Sequence, residues 1–192
     1  VRIPIGANMH FKSGFTLLEL MITVMVVAIL AAIAIPNYAA YMQRKDLAVA
    51  KQEALRIASE LERFRGKNFS YKNFDATYLH ADYDVKSGQL YIPIGSSETD
   101  AKYVLTLFDL ETSQPLKKVA AEADDTNDSI NGLAWGITVL RAEKSGLPKQ
   151  PKNYDLGLNS HNVRCMSRTA GVVTDVVEAK SSCGEKGMSE NW

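Results

Sequence analysis

The sequence predicts an α+β protein in which one long N-terminal helix packs on a small antiparallel sheet. Residues 15–35 form an unbroken apolar run with a single ionisable residue, Glu19. After Pro36, apolar residues recur at spacings of three and four, as they do on one face of a helix. Short β-rich runs separated by turn-forming residues then follow, and such runs are typical of strands.

The apolar run is long enough to cross a membrane. At about 1.5 Å of rise per residue, a helix over residues 15–35 measures roughly 31 Å, and a hydrocarbon core is about 30 Å thick. A buried acid in such a helix costs roughly 2.5–3.5 kcal/mol on insertion scales, so Glu19 is a candidate functional residue with a partner to be found. The alternative is that Glu19 snorkels to the interface, because it lies near the start of the run.

The helix is expected to continue beyond the apolar run. A proline inside a helix removes one hydrogen bond and kinks the helix without necessarily ending it. We therefore predict one helix over residues 15–65, kinked near Pro36 and stopped by Gly66. Its second half is amphipathic, and its apolar face comprises Ala40, Leu47, Ala50, Ala54, Ile57, Leu61 and Phe64.

Strands are predicted in the remaining sequence. Residues 103–110 and 133–140 are the clearest strands. Residues 89–94 are expected to form an edge strand, because Pro93 has no N–H to donate to a neighbouring strand. Residues 162–167 and 172–177 are expected to form two more, separated by a turn over 169–171, and residues 116–121 are a candidate partner for the strand at 103–110. Three or more such strands, covered on one face by the amphipathic half-helix, make a stable unit.

Charge gives no sign of a polyanion ligand. The 192 residues carry 22 basic and 22 acidic side chains, so nucleic acid is not expected as a partner unless through a local patch. The short basic clusters are Lys117-Lys118, Arg164 with Arg168, and Lys149 with Lys152. The acidic group Glu122, Asp124, Asp125 and Asp128 lacks the spacing of an EF-hand loop and is expected to be a solvated loop, with calcium binding as the alternative.

The two cysteines, Cys165 and Cys183, are separated by 17 residues. If the domain is exported, an oxidising compartment favours a disulfide between them, which contributes about 3 kcal/mol in the chain-entropy model. Two buried free thiols are the alternative. A zinc site is not predicted, because no cluster of companion ligands accompanies the pair.

No catalytic constellation is recognisable in the sequence. His161 lies four residues before Cys165, but a Cys–His nucleophile needs a free thiolate and a third orienting group. The sequence also lacks a Ser-His-Asp set, a phosphate-binding loop and metal-ligand spacing. We therefore predict a non-enzymatic protein without catalytic residues, metal or cofactor.

The segment Lys12-Ser13-Gly14-Phe15-Thr16-Leu17-Leu18-Glu19 resembles the class III signal of type IV prepilins. The resemblance implies cleavage after Gly14 by a prepilin peptidase, N-methylation of Phe15, and pairing of Glu19 with the methylated amine of a neighbouring subunit. It also implies a pilin fold with four segments. These are a leader over 1–14 (starting at Val1 or at Met9), a transmembrane and polymerisation helix over 15–35, the amphipathic half of the same helix over 36–66, and a periplasmic α+β domain with a C-terminal disulfide loop over 67–192.

The resemblance further implies a function in assembly. It points to a minor pilin of a bacterial type IV pilus, and the mature length of 178 residues and the polar tail over 184–192 agree with a minor subunit. The expected partners are the prepilin peptidase, other pilin subunits, the inner-membrane assembly platform and, before assembly, membrane lipid. The N-terminus is expected in the cytoplasm and the C-terminal domain in the periplasm, then in the extracellular pilus.

Three alternatives stay open on the sequence. The first is a pseudopilin of a type II secretion system, against which the two-cysteine loop argues because it is commoner in pilins. The second is a pilus-borne subunit for DNA uptake or adhesion. The third is a membrane-anchored periplasmic enzyme, in which Glu19 would be dispensable.

Overall fold

A computed structural model describes residues 14–117, 130–178 and 190–192. The chain divides into two compact units, Val1–Tyr41 and Met42–Trp192. The first contains the apolar part of the long helix, and the second contains the amphipathic part together with the sheet. This is the α+β architecture that the sequence predicts.

Helix α1 spans Leu17–Asn68 and continues through both Pro36 and Gly66. The predicted stop at Gly66 is therefore wrong by about one turn. The residue that leaves the helical conformation is Phe69, whose φ of 59° is left-handed and whose N–H donates to the carbonyl of Arg65 at 2.8 Å. This is the geometry of a helix C-terminus, normally supplied by glycine. The kink at Pro36 stays a prediction.

One stripe of α1 belongs to the core of the second unit. Ala50, Ala54, Ile57 and Leu61 are fully buried at spacings of four, three and four, which confirms the central four residues of the predicted apolar face. Of the other three, Leu47 and Phe64 are half-buried against this core, and Ala40 is exposed. Two of the four buried residues are alanines, so the helix backbone can approach the sheet closely. The stripe packs against side chains that alternate along the strands: Leu90, Ile92, Tyr103, Leu105, Leu107, Ile137, Val139, Leu156 and Leu158.

The main sheet is antiparallel and has the order β1-β2-β3-β6-β7-β8. Its strands are β1 Gln89–Ile92, β2 Tyr103–Asp109, β3 Trp135–Arg141, β6 Asp155–Asn159, β7 Arg164–Ser167 and β8 Glu190–Asn191. A separate hairpin follows β3 and consists of β4 Glu143–Lys144 and β5 Leu147–Pro148. Strand β1 lies at the sheet edge immediately before Pro93, as the sequence predicts.

The second helix corrects one predicted strand. Residues 172–177 were expected to be extended because they are rich in valine, yet Val172–Glu178 forms helix α2. Val173 and Val177 lie four residues apart, so helical geometry brings both onto one face, where they are buried with Phe108, Leu110 and Ala134. Tertiary burial therefore overrides the β propensity of valine.

Glycines allow α2 to lie directly on the sheet face that α1 does not cover. A Cβ on Gly157 would lie 2.5 Å from Val177 Cγ2 and 2.6 Å from Val173 Cγ1, and one on Gly136 would lie 2.6 Å from the ring of Phe108. The second unit therefore has three layers, with α1 on one face of the sheet and α2 on the other.

A Gly157→Ala variant is expected to lower the stability of the second unit by about 1–3 kcal/mol, because the new methyl group overpacks the contact with α2. The thermal midpoint of tryptophan fluorescence, measured on the full chain in detergent, should fall by about 2–4 °C per kcal/mol. Adding Val177→Ala should restore part of the loss, since it removes the clashing methyl groups. An unchanged midpoint in Gly157→Ala would contradict the three-layer packing.

The predicted pairing of residues 116–121 with β2 is not found over the part that the structure describes. Leu116 is buried, but its carbonyl accepts from the N–H of Asn73 at 2.8 Å, and residues 116–117 form no strand. Residues 118–121 lie outside the described residues.

Candidate functional site

The predicted processing and assembly residues lie together at the start of α1. Gly14 and Phe15 precede the helix, and Glu19 belongs to its first turn. All three are exposed, and the Phe15 side chain is 78% exposed. The structure therefore places the bond predicted to be cleaved, an aromatic side chain and a carboxylate at one accessible helix end.

Thr16 fixes where this helix starts. Its Oγ1 accepts from the N–H of Glu19 at 3.2 Å, and its carbonyl accepts from the N–H of Leu20 at 3.2 Å. Thr16 and Glu19 have the spacing of a capping box, in which a threonine at the N-cap is followed three residues later by glutamate. Thr16 was not among the predicted site residues, although this Thr-x-x-Glu spacing was readable in the sequence.

Glu19 also lies in the helix turn where acidic side chains are generally favoured. An anion in the first turn of a helix is stabilised by typically 0.3–1 kcal/mol, because the unpaired N–H groups there carry partial positive charge. The carboxylate of Glu19 therefore suits the start of α1 beside any role between subunits. Experiments on this residue have to separate the two.

The apolar part of α1 exposes its surface all round. Its most apolar 18-residue window has a mean hydropathy of 2.7 and no buried residue, and α1 is long and apolar enough to cross a membrane. The hydroxyl of Thr23 donates to the carbonyl of Leu20 at 2.9 Å, so this polar group is satisfied within the helix. An apolar surface of this extent needs lipid or other helices to cover it.

Pro36 lies inside α1 and is exposed. Because proline has no N–H, the carbonyl of Ala32 lacks its usual helical donor. The helix nonetheless continues on both sides of this position.

Only one predicted disulfide residue is described by the structure. Cys165 is fully buried on β7, where it pairs in register with Asn191, and its carbonyl accepts from the indole N–H of Trp192 at 2.8 Å. Cys183 lies outside the described residues. The bond between Cys165 and Cys183 therefore stays a prediction.

Several residues of the basic clusters make contacts within the domain. Lys117 pairs with Asp75 at 2.5 Å, the Arg168 guanidinium lies 4.4 Å from the centre of the Tyr154 ring, and Lys149 Nζ donates to the carbonyls of Thr99 and Ala101. Lys118 and the acidic group Glu122, Asp124, Asp125 and Asp128 lie outside the described residues.

The Lys117–Asp75 pair has an electrostatic consequence. Burial alone would raise the pKa of Asp75, but the hydrogen bonds from Lys117 and Thr77 outweigh burial and hold that pKa below its ordinary value. At neutral pH the pair therefore stabilises the contact between the segment after α1, which contains Asp75, and Lys117. Its contribution is lost as the pH falls through the lowered pKa of Asp75.

Metal binding finds no support in the described ranges. Residues 14–117, 130–178 and 190–192 contain no group of three or more His, Cys, Asp or Glu side chains placed to hold an ion. His80 is buried with its Nε2 3.0 Å from Glu53 Oε2, but these two side chains alone do not make a metal site.

Comparisons with known proteins agree with the geometry of the helix start. Residues 9–35 match the family described as prokaryotic N-terminal methylation motif. A fimbrial protein of Pseudomonas aeruginosa is 42% identical over 151 residues, and the match covers 73% of this chain and 94% of that protein. No solved structure shows a significant match.

Two further relatives match over shorter stretches. Type II secretion system core protein G of Pseudomonas aeruginosa is 37% identical over 60 residues, covering 31% of this chain and 42% of that protein. The type IV major pilin protein PilA of Myxococcus xanthus is 39% identical over 61 residues, covering 32% of this chain and 28% of that protein. Because the fimbrial match spans nearly the whole relative at high identity, this chain belongs to the type IV pilin family.

Proposed function

We propose that this chain is a minor pilin, a non-enzymatic structural subunit of a bacterial type IV pilus. It is inserted in the inner membrane through residues 15–35, cleaved after Gly14, N-methylated at Phe15 and polymerised through α1. The observation that carries the proposal is the exposed apolar part of α1, whose first turn holds Glu19. This arrangement is suited to exchanging lipid for neighbouring helices.

The pairing of Glu19 with the α-amine of Phe15 on a neighbouring subunit follows from electrostatics. In a helix bundle of low dielectric, an unpaired carboxylate and an unpaired ammonium are each costly. Mutual pairing removes both costs only when the two helices are in the correct axial register. Glu19 would therefore select the register in which subunits are added.

The remaining partners follow from the life cycle proposed here. A prepilin peptidase cleaves and methylates the chain, an inner-membrane platform assembles it, and other pilin subunits surround it in the filament. The N-terminus is in the cytoplasm and the second unit is in the periplasm before assembly. Arg2, His10 and Lys12 precede the apolar run without an acid among them, which supports this orientation.

A role in the pilus is favoured over one in a type II secretion system. The match to the fimbrial protein extends over most of both chains, whereas the match to secretion protein G covers less than half of that protein.

The decisive experiment compares Glu19→Ala with Glu19→Gln. Glutamine preserves the capping box but removes the charge, whereas alanine removes both. If charge pairing drives assembly, both variants should be membrane-inserted and processed like the wild type, yet at least tenfold less abundant in sheared filaments. The measurement is the ratio of filament-bound to membrane-bound chain by immunoblot.

Thr16→Val provides the matched control, because it removes the cap and keeps the carboxylate. It should reduce filament recovery far less than Glu19→Gln does. A filament-bound fraction of Glu19→Gln equal to that of the wild type would contradict the pairing mechanism. If the wild-type chain is absent from sheared filaments, the assignment to a pilus is wrong.

A further inference from the structure

A pocket of about 110 Å³ lies between α1 and the β1–β2 edge of the main sheet, near the start of the second unit. Val49, Ile92 and Pro93 form its apolar walls. Lys45 on α1 and Lys102, directly before β2, also line it, and both lysines are exposed. The pocket therefore combines an apolar recess with two cationic side chains.

The charge of these lysines is not neutralised within the part of the chain that the structure describes. There, neither Lys45 nor Lys102 has a carboxylate within 4.0 Å of its Nζ, and the neighbouring exposed Arg44 forms no ion pair either. The one acid that lines the pocket, Asp46, accepts a hydrogen bond from the side-chain amide of Gln150. Three cations and one carboxylate leave an excess of positive charge at this place.

Secondary structure fixes the backbone of both lysines. Lys45 belongs to α1. The N–H of Lys102 donates to the carbonyl of Ile92 at 2.7 Å, and the carbonyl of Lys102 accepts from the N–H of Ala142 at 2.8 Å. The two side chains can therefore adjust to an anion while the backbone around the pocket stays in place.

The position of Lys45 along α1 is that expected for contact with lipid headgroups. Lys45 follows Ile35, the end of the apolar run, by roughly 15 Å of helix. Tyr38 and Tyr41 come between them and are 65% and 62% exposed, and tyrosine is enriched at the level of the headgroups. Because side chains on a helix tilt toward its N-terminus, Lys45 extends back in the direction of these tyrosines.

A lipid phosphate fits both parts of the pocket. Lysine is a common ligand of phosphate groups, and basic pockets at the membrane surface bind the headgroups of anionic lipids. The apolar walls suit the carbon atoms attached to the phosphate, whereas a free phosphate ion would leave them without a partner. The sequence also contains no acid between Glu19 and Asp46, so this part of α1 has no other carboxylate to repel lipid phosphates.

We propose that the pocket between Lys45 and Lys102 binds the phosphate of an anionic phospholipid while the chain is in the membrane. This inference rests on the proposed insertion through residues 15–35 and names the class of lipid that the inserted chain prefers. A zwitterionic lipid such as phosphatidylcholine is disfavoured, because the two lysines repel its choline group. The subunit has to give up the bound lipid when it leaves the membrane.

The test measures which lipid the full chain holds in phosphatidylcholine vesicles. The vesicles contain a trace of spin-labelled phosphatidylglycerol or of spin-labelled phosphatidylcholine, and electron paramagnetic resonance gives the fraction of each label that the protein immobilises. The wild type should prefer phosphatidylglycerol by about threefold. Lys45→Gln/Lys102→Gln should lose this preference, because both ligands of the phosphate are gone.

Lys67→Gln/Lys86→Gln is the matched control, since it removes two charges from exposed lysines outside the pocket. This control should keep the preference of the wild type. Val49→Phe keeps both lysines but fills the recess, so it should lower the preference, and the thermal midpoint checks that each variant is folded. A preference that survives in Lys45→Gln/Lys102→Gln or in Val49→Phe, or that is lost in the control, would overturn the proposal.

Inorganic phosphate distinguishes the two sources of a phosphate group. Added in millimolar excess, with chloride adjusted to keep the ionic strength constant, it should leave the preference for phosphatidylglycerol unchanged. Loss of the preference would identify a free anion as the occupant and overturn the assignment to lipid.

The same measurement separates this inference from the proposed function. If the wild type immobilises both labels equally, the chain is inserted and only the lipid site is wrong. If it immobilises neither label, the proposed membrane insertion fails together with this inference.

Discussion

A Gly14→Val variant is expected to remain unprocessed, so that the membrane-bound chain neither loses residues 1–14 nor gains a methyl group. The resemblance to prepilin signals assigns the cut to the bond after this glycine, and valine adds a branched side chain next to that bond. Intact-mass spectrometry of the membrane fraction should show a processed fraction at least tenfold below that of the wild type.

The effect cannot arise from folding of the chain itself. A Cβ on Gly14 meets no atom within 4 Å, and the same is true of Gly66 inside α1. Gly66→Ala is therefore a matched control that should be processed normally. Normal processing of Gly14→Val would refute the assignment of the cleavage site.

The second large effect concerns a buried ion pair that joins β3 to β6. Arg141 Nε lies 2.9 Å from Asp155 Oδ1, and Arg141 NH2 lies 3.0 Å from Asp155 Oδ2, with both side chains more than 90% buried. The hydrogen bonds that Arg141 donates to Asp155 raise the pKa of Arg141, so the guanidinium stays charged. Removing the acid leaves that charge buried without its counter-ion.

Asp155→Ala is therefore expected to destabilise the second unit by about 3–5 kcal/mol. The thermal midpoint, followed by tryptophan fluorescence of the full chain in detergent, should fall by roughly 6–20 °C. Arg63→Ala serves as the comparison. It removes a pair with Glu60 at 2.7 Å in which the arginine is 62% exposed, and it should cost less than about 1 kcal/mol.

The double variant Arg141→Met/Asp155→Leu tests the cause. If the uncompensated charge is responsible, replacing both partners by apolar residues should recover part of the stability that Asp155→Ala loses. A double variant less stable than Asp155→Ala would show instead that the other hydrogen bonds of Arg141, to the carbonyls of Arg168 and Pro151, dominate.

Periodicity in the sequence was sufficient to predict α1 and the best-defined strands. The buried stripe of Ala50, Ala54, Ile57 and Leu61 and the strands β2 and β3 depend on hydrophobic spacing, which is local information. The end of α1 was mispredicted because glycine is the usual residue in left-handed geometry, whereas here Phe69 adopts it.

The elements that were missed depend on contacts distant in sequence. Strand β6 contains Gly157, a residue with weak strand propensity, and its neighbours Asp155 and Asn159 are buried polar side chains. Helix α2 is helical because Val173 and Val177 fit over glycines of the sheet. Neither fact can be read from propensity alone.

For the candidate site, the sequence predicted Gly14, Phe15 and Glu19 but not the way the helix is started. Thr16 supplies the N-cap, so Glu19 belongs to the helix end as well as to any contact between subunits. Residues 1–13 of the leader and Cys183 lie outside the described residues, so what the sequence implies for them stays a prediction.

The cap at Thr16 also determines what cleavage would change. The cut proposed after Gly14 lies outside the capped turn, so the helix can start at the same residue in the precursor and in the mature chain. Cleavage would change the charge at the N-terminal end of α1, because the neutral peptide nitrogen of Phe15 becomes a charged amine. Maturation would then add one positive charge to the subunit without refolding it. That charge would attract the Glu19 carboxylate of a neighbouring subunit.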